Sequence, residues 1–509
     1  MRYTRLFAIC GSAAALLVGA ACSTDLNITN PNQPDVGRVL ATPGDVVQVA
    51  YSSLNTWYRG ATSVYPNVMM SVTSDVLTMN FGNFGARFNN LEPRIPYNNS
   101  SAASDGEVAA TPWDNYYGAL GAANDALRAF STGLALPGNP QGTEAAKHIA
   151  MFTQAAALSN LALTFDSAFV VDEDTLKSGK APSLQPASRV AAAAVAKWDA
   201  LIAATAGKSH SYGADVIPVV GGFNSTRLNR LANTYAALVL AYTPRTSAGA
   251  ATVDWNKVAT YAAKGIGTGT AGTPFDFTVI GDNDRWLSNY LRYANYPAWM
   301  RIDIRVLNMV DPTQPAKYAG TVPPKATGDN RVNTDIRYMG SATERAEIGA
   351  FTRDTVIGDP ARGIYMMSPY HHKRYEYYAW HSSTVGVGAA PYILAAESDL
   401  VRAEALIRGT APDLVTAATL INNTRVTRGG RTPATAADGA ATLLEYIRYE
   451  RNLELIATNG WDMPRNRQAA AGQIGALQAG TARHLPIPAR ELEVLRKPVY
   501  TYGSAGKEM

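Results

Sequence analysis

Apolar residues at helical spacing recur along this chain from Pro43 to Asn459, and one long segment without that spacing divides them into two groups. Pro43 opens a helix expected to run through Trp57, with Val46, Val47, Ala50 and Leu54 on one stripe. Residues 112–130 follow Pro112 and align Trp113, Tyr116, Leu120, Ala123 and Leu127 in the same way. Alanine-rich helices are expected over 143–165, 188–206, 226–242 and 254–266. Alanine favours the helix and lets neighbouring helices approach closely. Residues 274–390 differ, being rich in Pro, Gly, Tyr and Arg, with short strands or ordered loops expected at 363–367 and 375–380. Helical spacing returns over 391–409, 412–428 and 441–459, and a basic irregular tail follows. The pattern predicts a mainly α scaffold of helical repeats carrying long irregular loops and a few short strands.

The N-terminus reads as an export signal over residues 1–21. Arg2 and Arg5 precede an apolar stretch from Phe7 to Val18, then Gly19-Ala20-Ala21 and the polar Ser23-Thr24-Asp25. Cys22 follows the cleavage region directly, as in a bacterial lipobox, and is the expected lipid attachment. Gly19 stands where that pattern usually has Leu, so an ordinary secretory signal cut near Ala21 is the alternative. Residues 22–42, polar and rich in Asn and Pro, suit a tether. Residues 43–509 are then expected to form one binding domain, with 274–390 inserted in it. Cys10 would leave with the signal, so no internal disulfide is expected. With charged residues at 17% and a mature charge of about +2, the balance gives no reason to expect nucleic acid.

Motifs for catalysis or cofactors are sparse. Gly267 to Gly272 matches G-x-G-x-x-G but follows a helix and precedes Thr273-Pro274, so it reads as a loop. No G-x-x-x-x-G-K-[ST], G-x-S-x-G or H-E-x-x-H occurs. His371, His372, Glu376 and His381 form the densest metal-like set, in a strand or loop context that favours a structural role. Asp172, Asp174 and Ser178 loosely match a calcium loop, although Leu176 holds a ligand position, and Asp282-Asn283-Asp284 is a second oxygen-rich turn. No enzyme, metal or cofactor is therefore expected, with structural calcium the open alternative. Carboxylates spaced for glycoside hydrolysis are not marked by any motif. Glu450, Arg451 and Glu454 near Trp461 read as structural ion pairs closing a helix that stops at Asn459-Gly460.

Several segments together resemble the SusD/RagB family, in that family's order. Cys22 is followed by Leu26 and Asn30-Pro31-Asn32, and Trp113-x-x-x-Tyr117 by Asn124. Asp254-Trp255-x-Lys257-Val258-Ala259-x-Tyr261-Ala262 is similar to its tetratricopeptide-like helix. Ala396-Glu397-x-x-Leu400-x-Arg402-Ala403-Glu404-Ala405 and Ile421-Asn422-x-x-Arg425 come next. Glu450-Arg451-x-x-Glu454-Leu455, with Gly460-Trp461-Asp462 and Arg465, precedes Leu485-Pro486-Ile487-Pro488-x-x-Glu491. The resemblance implies a tetratricopeptide-like scaffold and a lipoprotein of the cell outer membrane that is not an enzyme. It would bind a nutrient oligosaccharide, or in some members a peptide, and pass it to a SusC-like TonB-dependent barrel transporter.

A sugar offers apolar C–H faces and ring hydroxyls, so its site needs exposed aromatic rings among Asn, Asp and Arg. The chain has 26 Tyr against 12 Phe and 8 Trp, a side chain that joins a ring to a polar tip. Residues 75–98 carry Asp75, Asn83, Phe84 and Arg87, and residues 286–299 carry Trp286, Tyr290, Tyr293, Tyr296 and Trp299. Asp75, Asn83, Phe84, Arg87, Trp286, Tyr290 and Tyr296 are the expected ligand contacts. Trp286, Tyr290 and Tyr293 also fall on one helical face, where a core stripe is the competing reading. The 370–380 segment is a third candidate that reads mainly as packing.

Overall fold

A computed structural model describes residues 40–79, 85, 91–92, 94–103, 106–178, 181–297, 299–317, 322–340, 368–380 and 382–501. The signal, Cys22, nearly all of the tether and residues 363–367 lie outside the described residues.

The helices expected from periodicity form, with shifted ends. Helix α1 (Pro43–Ala61) starts where Thr42 accepts a hydrogen bond from the Asp45 N–H, and it buries Val46, Val47, Ala50, Leu54 and Trp57. The short α2 (Val64–Thr73) follows. Helix α3 (Glu107–Ser131) begins five residues before Pro112. That proline gives up one backbone bond early in the helix, while buried Val108, Ala109 and Ala110 extend the packed face upstream. Helix α4 (Pro140–Thr164) is buried on all sides through most of its length, the behaviour of a central core helix.

Helices α5 (Ala187–Thr205), α6 (Ser225–Tyr242) and α7 (Trp255–Ala262) complete the first group, and each packs on its predecessor. Helix α8 (Asn289–Ala294) belongs to the insertion. Helices α9 (Ala395–Arg408), α10 (Leu414–Arg425) and α11 (Gly439–Glu454) form the second group. Helix α9 packs directly on α7 although more than a hundred residues separate them, so the helical array continues across the insertion.

The insertion leaves and returns through one antiparallel ribbon. Strand β2 (Phe277–Asp282) pairs with β6 (Val387–Ile393), from Val387 opposite Asp282 to Ile393 opposite Phe277. Between them lie β3 (Met300–Ile302), β4 (Ile336–Tyr338) and β5 (Tyr370–His372). β4 pairs with β5, while β3 pairs with the Leu77–Met79 strand, β1, that follows α2. A second apolar core gathers here, where Tyr290, Leu291, Met300, Ile302, Leu307 and Tyr370 pack with Val68 of α2 and Leu453 of α11. The 375–380 segment is a single 3-10 turn (Glu376–Tyr378) with its flanks, not a strand.

Two further details differ from the sequence reading. Helix α11 ends at Glu454, five residues before Asn459, and Gly460 supplies its left-handed φ of +70° to a later turn. As far as Thr501 the basic tail folds back: the Leu485 N–H donates to the Thr164 carbonyl, and fully buried Arg467 donates to the carbonyls of Leu163 and Tyr242. Those acceptors are the free carbonyls at the ends of α4 and α6, where a cation is favoured. The Gly267–Gly272 segment is a loop, tied down by Thr268 on Asp399. His372 is buried and its Nδ1 meets Asn295 Oδ1 at 2.8 Å. Among the described residues, no helix is long and apolar enough to cross a membrane, and no three His, Cys, Asp or Glu side chains are grouped to hold a metal.

Candidate ligand-binding site

The β1–β3 ribbon joins the two aromatic-rich stretches that the sequence singles out. Met79, within the first stretch, lies opposite Met300, the residue after the second. Helix α8 starts at Ser288, whose hydroxyl accepts from the Leu291 N–H, and this turns Tyr290 and Leu291 inward. Successive backbone bonds from Tyr296 to Tyr293 and from Trp299 to Tyr296 coil the chain onward. The three side chains therefore recur every third residue on one side of α8 and its exit.

Trp380 reaches the same place from the returning arm of the insertion. The Tyr378 hydroxyl accepts from the Ser288 N–H at 2.9 Å and ties that arm to the start of α8. Tyr293 stands between Trp299 and Trp380, with ring centroids at 5.0 and 5.8 Å and both pairs edge-on. The Arg292 guanidinium carbon sits 3.5 Å from the Trp380 ring centroid. Trp380 is 42% exposed and Tyr377, three residues before it, 41%. Tyr293, Tyr296 and Trp299 are half-buried. Tyr293, Trp299 and Trp380 form an aromatic surface, their rings held at fixed angles by one another and the Trp380 ring open to solvent.

The expected contacts separate into four kinds. Tyr296 is half-buried, at the chain turn between Tyr293 and Trp299. Trp286 and Tyr290 are 3% and 1% exposed and belong to the core. Trp286 packs on Tyr58 at 5.4 Å, and the Tyr290 hydroxyl shares a 2.7 Å hydrogen bond with Ser71. Neither presents a ring face to a ligand: Tyr290 points from α8 at α2, and Trp286, in the turn before α8, packs on α1. Asn83, Phe84 and Arg87 lie outside the described residues.

Asp75 is set back in a polar recess. It is 9% exposed, adopts a left-handed φ of +56°, and is paired with Arg94 at 2.5 Å and Arg305 at 3.4 Å. Gln478 also donates to it at 2.7 Å. Asp75, Arg305 and Gln478 border a cavity of about 430 Å³ that Asn308, Asn452 and residues 472–476 also line. Burial, and then the Asp75 charge, push the neighbouring Asp303 carboxyl up to about 7. Burial also raises Glu92, but hydrogen bonds from Lys317 and Arg305 outweigh it and hold that carboxylate below its usual range.

A larger cavity of about 650 Å³ lies where the start of α5 meets the chain after α6, with walls mainly of Ala, Leu240, Pro244 and Val253. It holds no aromatic platform, and its His484 is kept neutral by burial and three neighbouring arginines, which bring it down to about 2.

Sequence reasoning ranked Trp380 and Tyr377 below the residues of 286–299. Their signal was there, two large rings three residues apart in a segment with few aliphatics, but the tyrosines around them resemble packing. Three of those do pack: Tyr370, Tyr375 and Tyr378 are buried.

No family model matches the sequence, and no curated protein does. Solved structures do match over most of the chain. A SusD homolog from Bacteroides thetaiotaomicron aligns with a TM-score of 0.58 at 13% identity, covering 90% of this chain and 97% of its own. Surface glycan-binding protein A from the same organism gives 0.58 at 12% identity over 91% and 100%. A SusD-like carbohydrate-binding protein from Bacteroides vulgatus gives 0.55 at 14% identity over 84% of each chain. What is shared at these identities is the fold, and the chain has the SusD fold.

Proposed function

We propose that this SusD-fold chain is a member of the SusD/RagB family that captures a nutrient oligosaccharide at the cell surface. In this reading the mature chain is held at the outer membrane by a lipid on Cys22 and hands its ligand to a SusC-like TonB-dependent barrel. The observation that carries the reading is the aromatic cluster of Tyr293, Trp299 and the exposed Trp380, the last contributed by the returning arm of the insertion. Rings fixed at this surface stack on sugar C–H faces without a conformational change in the protein, so little binding energy is lost to ordering. An open site of this kind also releases its ligand readily, which suits a carrier that must pass it on. The names of the matching structures, carbohydrate-binding and glycan-binding proteins, support the same ligand class.

The test is calorimetric titration of the purified protein against a panel of oligosaccharides and peptides, with product analysis after prolonged incubation. Micromolar-scale binding of an oligosaccharide that is recovered intact is the expected result. Trp380→Ala should weaken it by about 1–3 kcal/mol, by analogy with bases stacked on aromatic side chains. Cleaved product that disappears on replacing one carboxylate would turn the reading to a hydrolase. Binding by peptides alone would turn it to the peptide-binding branch of the family.

A further inference from the structure

We infer that the aromatic surface selects an acidic oligosaccharide, with the Arg292 guanidinium as the group that reads the sugar carboxylate. The inference rests on the sugar-binding reading of that surface.

Arg292 is 7% exposed, and its side chain's one hydrogen bond among the described residues is a long one, from Nη1 to Asn289 Oδ1 at 3.3 Å. Its Nε is buried and makes no hydrogen bond among the described residues. Other buried arginines of this chain are answered either by backbone carbonyls, as Arg301 and Arg467 are, or by carboxylates. Arg331 pairs with Asp329 and Glu450, Arg451 with Glu404, and Arg465 with Glu397 and Asp462. No carboxylate pairs with Arg292 among the described residues, and the groups nearest it electrostatically are the Tyr293 and Tyr378 hydroxyls. A guanidinium stays charged under such conditions, so its missing counter-charge is a standing cost to the folded protein.

Geometry links that cost to the ligand. A guanidinium lying against an indole keeps its N–H donors along its own edge, beyond the ring it covers. The Trp380 ring is exposed, and Tyr293, next in the chain to Arg292, joins that ring to Trp299. A sugar stacked on these rings through its C–H face would carry a ring carboxylate alongside the indole, toward the guanidinium edge. A carboxylate accepts two parallel N–H bonds from such an edge, the pairing in which arginine differs most from lysine. A neutral sugar would stack equally well and leave the guanidinium unanswered.

The test uses uronic-acid oligosaccharides of several linkages, each paired with its carboxyl methyl ester, titrated into the full mature chain. The acids should bind about tenfold or more tightly than their esters, and raising salt should narrow the gap. Arg292→Gln should bring acid and ester to similar affinity by weakening the acid far more than the ester. Arg292→Lys, which keeps the charge and loses the fork, should retain only part of the preference and guards against misfolding of the first variant. Esters binding as tightly as acids, or an acid preference that survives Arg292→Gln in a folded protein, would overturn the inference and leave the sugar reading intact. No binding by any acid, ester or neutral sugar would overturn the sugar reading itself.

Discussion

Arg331 and Glu450 meet as an ion pair at 2.7 Å with neither side chain exposed to solvent. The same Nη1 reaches Glu454, one turn along α11, at 3.3 Å, and Asp329 takes the other edge of the guanidinium. Arg331 lies in the insertion and both glutamates on α11, so this contact fastens the insertion to the last helix of the array. Glu450→Ala would leave a buried guanidinium short of a counter-charge and should cost about 3–5 kcal/mol in chemical denaturation. A loss below about 1 kcal/mol would mean that Glu454 and Asp329 carry the site without it.

Tyr290 and Trp380 make the clearest contrast between core and surface. Tyr290→Ala should lower stability by about 3–5 kcal/mol, since it empties a buried aromatic site. Tyr290→Phe, which removes only the bond to Ser71, should cost about 0.5–1.5 kcal/mol. Trp380→Ala should change stability by less than about 2 kcal/mol, because it removes a half-exposed ring and one cation–π contact. Ligand affinity should follow Trp380 and not Tyr290. Loss of affinity from Tyr290→Phe in a fully folded protein would contradict that division.

Asp303 should give the protein a measurable pH response. Its folded value, about 7, is raised by burial and by Asp75, above roughly 3.9 for an unfolded Asp. Between those values the folded state binds the extra proton, so the contribution to stability is complete below about pH 4 and lost as pH rises toward 7. Arg305 and Arg94 face the same carboxyl and moderate the effect. Asp303→Asn should gain stability relative to the parent between pH 5 and pH 8, on the order of 2 kcal/mol. Parallel stability curves for the two proteins across that range would be the contrary result.

Cys22→Ser should free the mature body from membranes without unfolding it, if the lipid alone holds it there. Fractionation checks this directly. A cleaved mutant that remained with the membrane would speak against lipid anchoring.

A neutral oligosaccharide should lose less than about threefold in affinity between roughly 50 and 500 mM salt, because ring stacking is not screened. Titration at the two salt concentrations decides it, and a steeper loss would show that charge carries the binding.

Much of the array was legible because amphipathic spacing is a local property. The stripe of Val46, Val47, Ala50 and Leu54 is buried as its spacing requires. The misjudged helix ends have local causes too, since Pro112 and Gly460 each suit a boundary and here sit elsewhere. The candidate site was half legible. Tyr296 was chosen for composition and lies half-buried at the turn between Tyr293 and Trp299, whereas Trp286 and Tyr290, with the same composition, are core.

From the sequence alone come the helical repeats, the break over 274–390, the ionic character of Glu450 and Glu454, and the aromatic content of the loops. All of these depend on residue type and on spacings of a few residues. Tertiary structure alone decided that Arg331 answers those glutamates, that β2 and β6 close the insertion onto an unbroken array, and that Trp380 rather than Trp286 faces solvent. These depend on segments tens to hundreds of residues apart, and a ring's exposure is set by whatever packs over it, which its own neighbours in sequence do not specify.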